Sequence, residues 1–155
     1  MKIKLLAIGK TDNKALVELI EYYCTKLKHY IQFDFELITS IKNSKNINYL
    51  KKKEGELILS KTQPTDRLVL LDIKGKEYTS DEFSRYLQNK MHSGIKQLVF
   101  VIGGAYGFSE AVYTKTDENL SLSKMTFTHQ MIRLFAVEQI YRAFTILHKQ
   151  AYHHK

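Results

Sequence analysis

The chain has 155 residues, 44% hydrophobic and 26% charged, which suits one domain, residues 1–155, able to bury most of its apolar surface. Its 24 Lys and Arg against 16 Asp and Glu leave a formal charge of +8, which favours an anionic partner, nucleic acid first among them. No run of about 18 apolar residues predicts a membrane span, and a single cysteine, Cys24, excludes an internal disulfide and a cysteine-based zinc site.

The opening "MKIKLLAIGK" carries an apolar stretch with no small-residue cleavage site, so residues 3–8 are predicted as a first strand in a cytoplasmic protein. Residues 13–29 space Leu16, Leu19, Ile20, Tyr23 and Leu27 at helical intervals. Cys24 falls in that helix and reads as a small packing residue rather than a nucleophile. Alternation of Phe33, Phe35 and Leu37 predicts a strand over 33–38. A second helix over 47–62 stops near Pro64 and carries the dense basic run Lys51-Lys52-Lys53 as a solvated face. "RLVLLDI" at 67–73 is a buried strand meeting a turn at Gly75. Ser80 is then the predicted N-cap of a third helix, with Asp81 and Glu82 in its first turn. Residues 97–102 form a fourth strand, a short helix starts at Ser109, 120–123 is a fifth strand, and 130–149 is the last helix. Alternating strands and helices predict an α/β fold whose mainly parallel sheet is flanked by helices.

The fourth strand runs into "IGGAYGFS" at 102–109. A dinucleotide loop needs G-x-G-x-x-G and an acid about 20 residues on. Here Gly103 and Gly104 are adjacent, and Lys124 stands where the acid belongs. No G-K-[ST] follows either, so neither a dinucleotide nor a P-loop cofactor fits. A tight turn accounts for one glycine; the others permit close backbone approach to a flat ligand or to another chain segment.

"LSLSKMTFTHQMIR" at 120–133 interleaves Ser121, Ser123, Thr126 and Thr128 with Leu120, Leu122, Met125 and Phe127. A segment of such mixed polarity can offer backbone groups to a planar heterocycle and apolar side chains as walls. The last helix is apolar on more than one side, through Met131, Leu134, Phe135, Val137, Ile140, Tyr141, Phe144 and Leu147, extended by Ile132, Ala136, Ala143 and Ile146. It needs burial beyond its own sheet, and a homodimer interface or a deeply internal position would supply it. Arg133 and Arg142 are left as polar positions on opposite sides of the helix. Glu138 and Arg142 form a favourable i,i+4 pair, either structural or orienting Arg142 in a site.

Together "LDIKGK" (71–76), "VFVIGG…G" (99–107), "LSLSKMTFTHQMIR" (120–133), "EQIYRAFTI" (138–146) and the terminal "YHHK" resemble the RlmH family of SPOUT methyltransferases over essentially the whole chain. The resemblance implies a homodimeric α/β protein with a C-terminal trefoil knot. The implied reaction moves a methyl group from S-adenosylmethionine to N3 of a pseudouridine in helix 69 of 23S ribosomal RNA, on the assembled ribosome, without a metal. It places the cofactor among three backbone segments: Leu71, Gly103, and Leu122, Ser123, Lys124, Met125, Thr126 and Phe127. Gly104 and Gly107 are left to the turn and a close chain crossing.

An N3–H is neutral at pH 7 and must lose its proton near transfer, so a site can stabilise the flanking oxygens or accept the proton. Arg142, braced by Glu138, is the candidate for stabilisation. His129, Tyr152 and His153 are candidates for base or substrate positioning, with Asp72 in reserve. The resemblance implies that one subunit binds the cofactor while its partner's tail helps grip the RNA. Two positions depart from the family pattern: Thr128 replaces the usual proline, loosening the turn into the last helix, and His154 replaces Arg or Lys. A non-catalytic ribosome-binding protein of the same fold is the competing reading.

Overall fold

The apolar runs become the strands of one parallel sheet. The computed structural model describes residues 1–41 and 45–152. Chain order is β1 (Lys2–Ile8), α1 (Lys14–Leu27), β2 (Gln32–Ile38), α2 (Ile47–Ser60), β3 (Arg67–Glu77), α3 (Ser80–His92), β4 (Gln97–Ile102), α4 (Glu110–Lys115), β5 (Glu118–Ser121) and α5 (Met131–Leu147). The strands order as β2-β1-β4-β3-β5, and every pair is parallel.

Both faces of the sheet are covered, which is why its central strands are continuously apolar. Ile3, Leu5 and Ala7 of β1 and Leu98, Phe100 and Ile102 of β4 pack under α1, α3 and α5. Leu6, Ile8, Val99 and Val101 face the other way, toward Ile58 of α2 and Val112 of α4. The α5 helix lies between α1 and α3, which supplies much of the extra burial its composition demands. Val137, Ile140 and Phe144 are at most 2% exposed, each contributing on the order of 2 kcal/mol by transfer from water. Met131, Leu134, Phe135 and Ile146 remain half-buried.

Several local expectations are corrected. Thr79, not Ser80, caps α3: its hydroxyl accepts from Glu82 N–H while the Glu82 carboxylate accepts from Thr79 N–H, a reciprocal capping box. The fifth strand runs from Glu118 to Ser121, and just before it Asp117 accepts from the Arg67 guanidinium and from Leu68 N–H at the start of β3. β3 itself runs on to Glu77, with a register break between Leu71 and Lys76 where both residues face Leu120. The excursion crosses β5 so tightly that a Cβ on Gly75 would stand 2.5 Å from Leu120 N and C. The closest approach of these two strands therefore falls at Gly75, not at Gly104 or Gly107. Gly107 serves the turn with φ +76, and Gly104 makes room for the Glu54 carboxylate.

The Lys51–Lys53 run lies on α2 as a solvated face, with Lys53 paired to Glu56 at 2.7 Å. Cys24 is partly buried in α1, and that burial pushes its thiol up to about 12. No helix among the described residues is long and apolar enough to cross a membrane.

Candidate functional site

Three backbone segments meet at the C-terminal end of the sheet, as ligand sites in parallel sheets do. They are the end of β3 with its excursion (Leu71, Asp72, Ile73), the turn after β4 (Gly103–Phe108), and the stretch from Leu120 to His129. They enclose a cavity of about 560 Å³, within the range of small-molecule sites. Ile102, Phe108, Leu120, Leu122, Phe127 and Ile132 make its walls largely apolar. A Cβ on Gly103 would sit 3.0 Å from the Phe108 ring, so a side chain here would push that ring by a few tenths of an ångström.

The long loop is held in shape by its own hydroxyls. Ser121 Oγ donates to Ser123 O (2.8 Å), and Ser123 Oγ accepts Met125 N–H (2.9 Å). Thr128 tightens rather than loosens the entry to α5, because its hydroxyl accepts Met131 N–H and its carbonyl accepts Ile132 N–H. A proline could offer the carbonyl but not the hydroxyl. This end of the site is anchored to the loop after β1. Gln130 and Asp12 exchange two hydrogen bonds of 3.0 and 3.1 Å.

Arg133 completes that anchor. It is 0% exposed, donating to Ile8 O at 2.7 Å and Thr11 Oγ1 at 2.8 Å, while its Nε is buried without a partner. Burial lowers its pKa, opposed by the nearby Asp12 charge. In the sequence Arg133 is one of the few polar positions on an otherwise apolar helix. Its helical phase is shared with Ala136, Val137 and Ile140, and that spacing was the one available signal.

Of the sequence-predicted cofactor residues, Leu71, Gly103, Leu122, Ser123, Met125, Thr126 and Phe127 line the cavity, while Lys124 is exposed outside it. His129 also lines it. So does Asp72, the only acid among the lining residues, whose carboxylate accepts Lys74 N–H and the Tyr113 hydroxyl. Burial is the main cause that pushes the Tyr113 phenol up to about 12, so it stays a donor to Asp72.

Arg142, Glu138 and Tyr152 form a separate cluster. Arg142 Nε and one terminal nitrogen donate to Glu138 Oε1 at 3.0 and 2.6 Å, and Tyr152 donates to the same oxygen at 3.0 Å. The Arg142 guanidinium lies 4.8 Å from the Tyr152 ring centroid, and the Tyr152 hydroxyl is 3.1 Å from that of Tyr23. Glu138 raises the Arg142 pKa. Burial, then the Tyr23 and Glu138 hydrogen bonds, push the Tyr152 phenol up, so it donates rather than accepts a proton. Ten residues of helix separate Arg142 from Ile132 at the cavity wall, about 15 Å along the axis. Within one chain the two groups do not meet. His153 lies outside the described residues.

A family model described as "Predicted SPOUT methyltransferase" matches residues 1–153. This chain belongs to that family. Among curated relatives, a protein of Flavobacterium psychrophilum is 61% identical and one of Christiangramia forsetii 57% identical, each over the whole of both chains. A third, from Cytophaga hutchinsonii, is 50% identical over 99% of this chain and all of its own. Each is named ribosomal RNA large subunit methyltransferase H. Membership agrees with the cavity: a SPOUT methyltransferase handles a methyl donor, and the cavity is of small-molecule size with largely apolar walls. No group of His, Cys, Asp and Glu suited to a metal ion occurs among the described residues.

Proposed function

We propose that this chain methylates N3 of a pseudouridine in helix 69 of 23S ribosomal RNA, using S-adenosylmethionine, as a homodimer acting on the assembled ribosome. The observation that carries the reading is the cavity at the end of the parallel sheet, walled by three backbone segments in a chain whose full-length relatives bear a ribosomal RNA methyltransferase name. The residues present fit the cofactor. Apolar walls suit an adenine, backbone N–H and C=O groups suit its edge, and the glycine turn suits a bent ligand without phosphates.

S-adenosylmethionine, when bound, supplies an already activated methyl group, so positioning carries much of the rate. Leu71, Gly103 and the Leu122–Phe127 stretch hold it. Arg142 is oriented by Glu138 toward charge developing on the oxygens that flank the reacting nitrogen. Tyr152 and His153 position the RNA, and His129 stands at the cavity as the candidate proton acceptor. Because Arg142 and the cavity are far apart in one chain, the partner subunit's Arg142 and the partner subunit's Tyr152 complete each site. A dimer also doubles the positive charge offered to RNA, and the ribosome supplies shape recognition that a domain this small lacks.

The test is methyl incorporation from labelled S-adenosylmethionine into ribosomes that lack the modification. Labelling at N3 of a helix 69 pseudouridine is expected, with free helix 69 RNA a poor substrate. Equal rates on both would remove the ribosome requirement. Ribosome binding without incorporation would make the chain a non-catalytic binder.

A further inference from the structure

Among the described residues Glu54 is the only buried acid, 7% exposed, and the chemistry above does not use it. No hydrogen-bond donor or cation among the described residues pairs with its carboxylate, and burial alone raises its pKa. Two glycines put it where it is. Gly55 lets α2 press on the turn before α4: a Cβ there would stand 2.3 Å from Ser109 Oγ and 3.2 Å from Val112. Gly104 vacates the space the carboxylate fills: a Cβ there would stand 2.5 and 2.9 Å from Oε2 and Oε1. Gly104 is itself part of the cavity wall, whereas Glu54 is not. A single residue's backbone therefore separates a largely buried carboxylate, unpaired among the described residues, from the ligand space. Such a charge is costly to bury, and a cation in the cavity would offset the cost.

We propose that Glu54 is the negative pole of the cofactor site, acting through Gly104 to favour a sulfonium donor over the neutral thioether that remains after transfer. The inference rests on the S-adenosylmethionine reading above. During transfer the S–CH₃ bond breaks, its electron pair stays on sulfur, and a bond forms to the acceptor nitrogen, whose proton departs. The cavity loses one positive charge in that step. Glu54 then faces a neutral thioether in place of the sulfonium, and its preference for what is bound disappears, which biases the site toward releasing product and taking up fresh donor. Glu54 touches neither cofactor nor reacting atoms, so it is a positioning residue that sets specificity.

Calorimetry on the intact protein tests this with S-adenosylmethionine and S-adenosylhomocysteine as probes, in wild type, Glu54→Gln and Glu54→Asp. Glu54→Gln is expected to weaken S-adenosylmethionine about tenfold, the size of one charge acting through several ångströms of screened protein, and to leave S-adenosylhomocysteine within about twofold. Glu54→Asp keeps the charge but withdraws it, and its ratio of affinities should fall between the other two. Equal losses for both ligands, or no change for either, overturns the proposal, because a merely structural carboxyl cannot distinguish ligand charge. If Glu54→Gln does not fold, an unchanged ratio in Glu54→Asp overturns it equally. Wild-type protein that binds neither probe defeats the cofactor reading itself, and this inference with it.

Discussion

Replacing Gly75 by alanine tests the crossing that frames the cavity. The new Cβ would lie 2.5 Å from Leu120 N and C and 2.6 Å from Asn119 C. Carbon contacts settle near about 3.5–4.0 Å, so relief requires β3 and β5 to part by about 1 Å. All three obstructing atoms are backbone, and no rotamer change can move them. Gly75 is not among the glycines with positive φ, so the penalty is steric rather than conformational. Overpacking costs about 1–3 kcal/mol, and parting the strands also weakens ladder hydrogen bonds at about 1 kcal/mol each. A loss of about 3 kcal/mol follows, or about 6–12 °C in Tm for a domain of this size. Urea denaturation at fixed protomer concentration reads it. Gly94→Ala is the control: its Cβ meets nothing within 4 Å, leaving only the φ +75 penalty, about 1 kcal/mol. If Gly75→Ala costs no more than Gly94→Ala, the crossing is looser than described and its role in shaping the site is refuted.

Thr79→Ala should destabilise by about 1 kcal/mol; a loss of only a few tenths would mean that Thr79 is not the cap. Thr79 holds the Glu82 carboxyl below its usual range, so that contribution is present at neutral pH and is lost as pH falls through the depressed value. Arg133→Ala removes the donors to Ile8 O and Thr11 Oγ1 and should cost about 2–4 kcal/mol in denaturant. A change under about 1 kcal/mol would mean the anchor is dispensable. Cys24, with its thiol pushed up to about 12 by burial, should react with iodoacetamide at pH 8 at least about tenfold more slowly than in the unfolded chain; similar rates would contradict its burial. Arg142→Ala should abolish methyl incorporation without changing cofactor affinity. Mixed in equal amounts with Gly103→Leu, it should recover about a quarter of wild-type activity, since half the dimers carry one intact composite site; no recovery would place Arg142 in its own chain's site.

Local pattern carried the element order. Apolar runs and alternation marked four strands to within a few residues, because the central strands are buried on both faces and the edge strand β2 alternates apolar with polar residues. The glycine turn and the mixed Ser/Leu segment stood out because their composition suits neither core nor surface, and together with Leu71, which the resemblance added, they line one cavity. Choices among near-equivalent local signals went unread. Thr79 and Ser80 both offer a hydroxyl before Glu82, and only backbone geometry selects Thr79.

What the sequence alone determined was the α/β class, the strand and helix order and the ligand-wall segments, all of which follow from periodicity and composition within short windows. Tertiary structure decided which glycine lies at the crossing, that Arg133 is sealed under the first loop, that Glu54 stands behind the cavity, and that Arg142 lies about 15 Å of helix from it. Each depends on two segments far apart in the chain meeting at a particular distance, such as Gly75 with Leu120 or Arg133 with Ile8. No local propensity encodes such a distance; it is set when the sheet order and helix packing close around it.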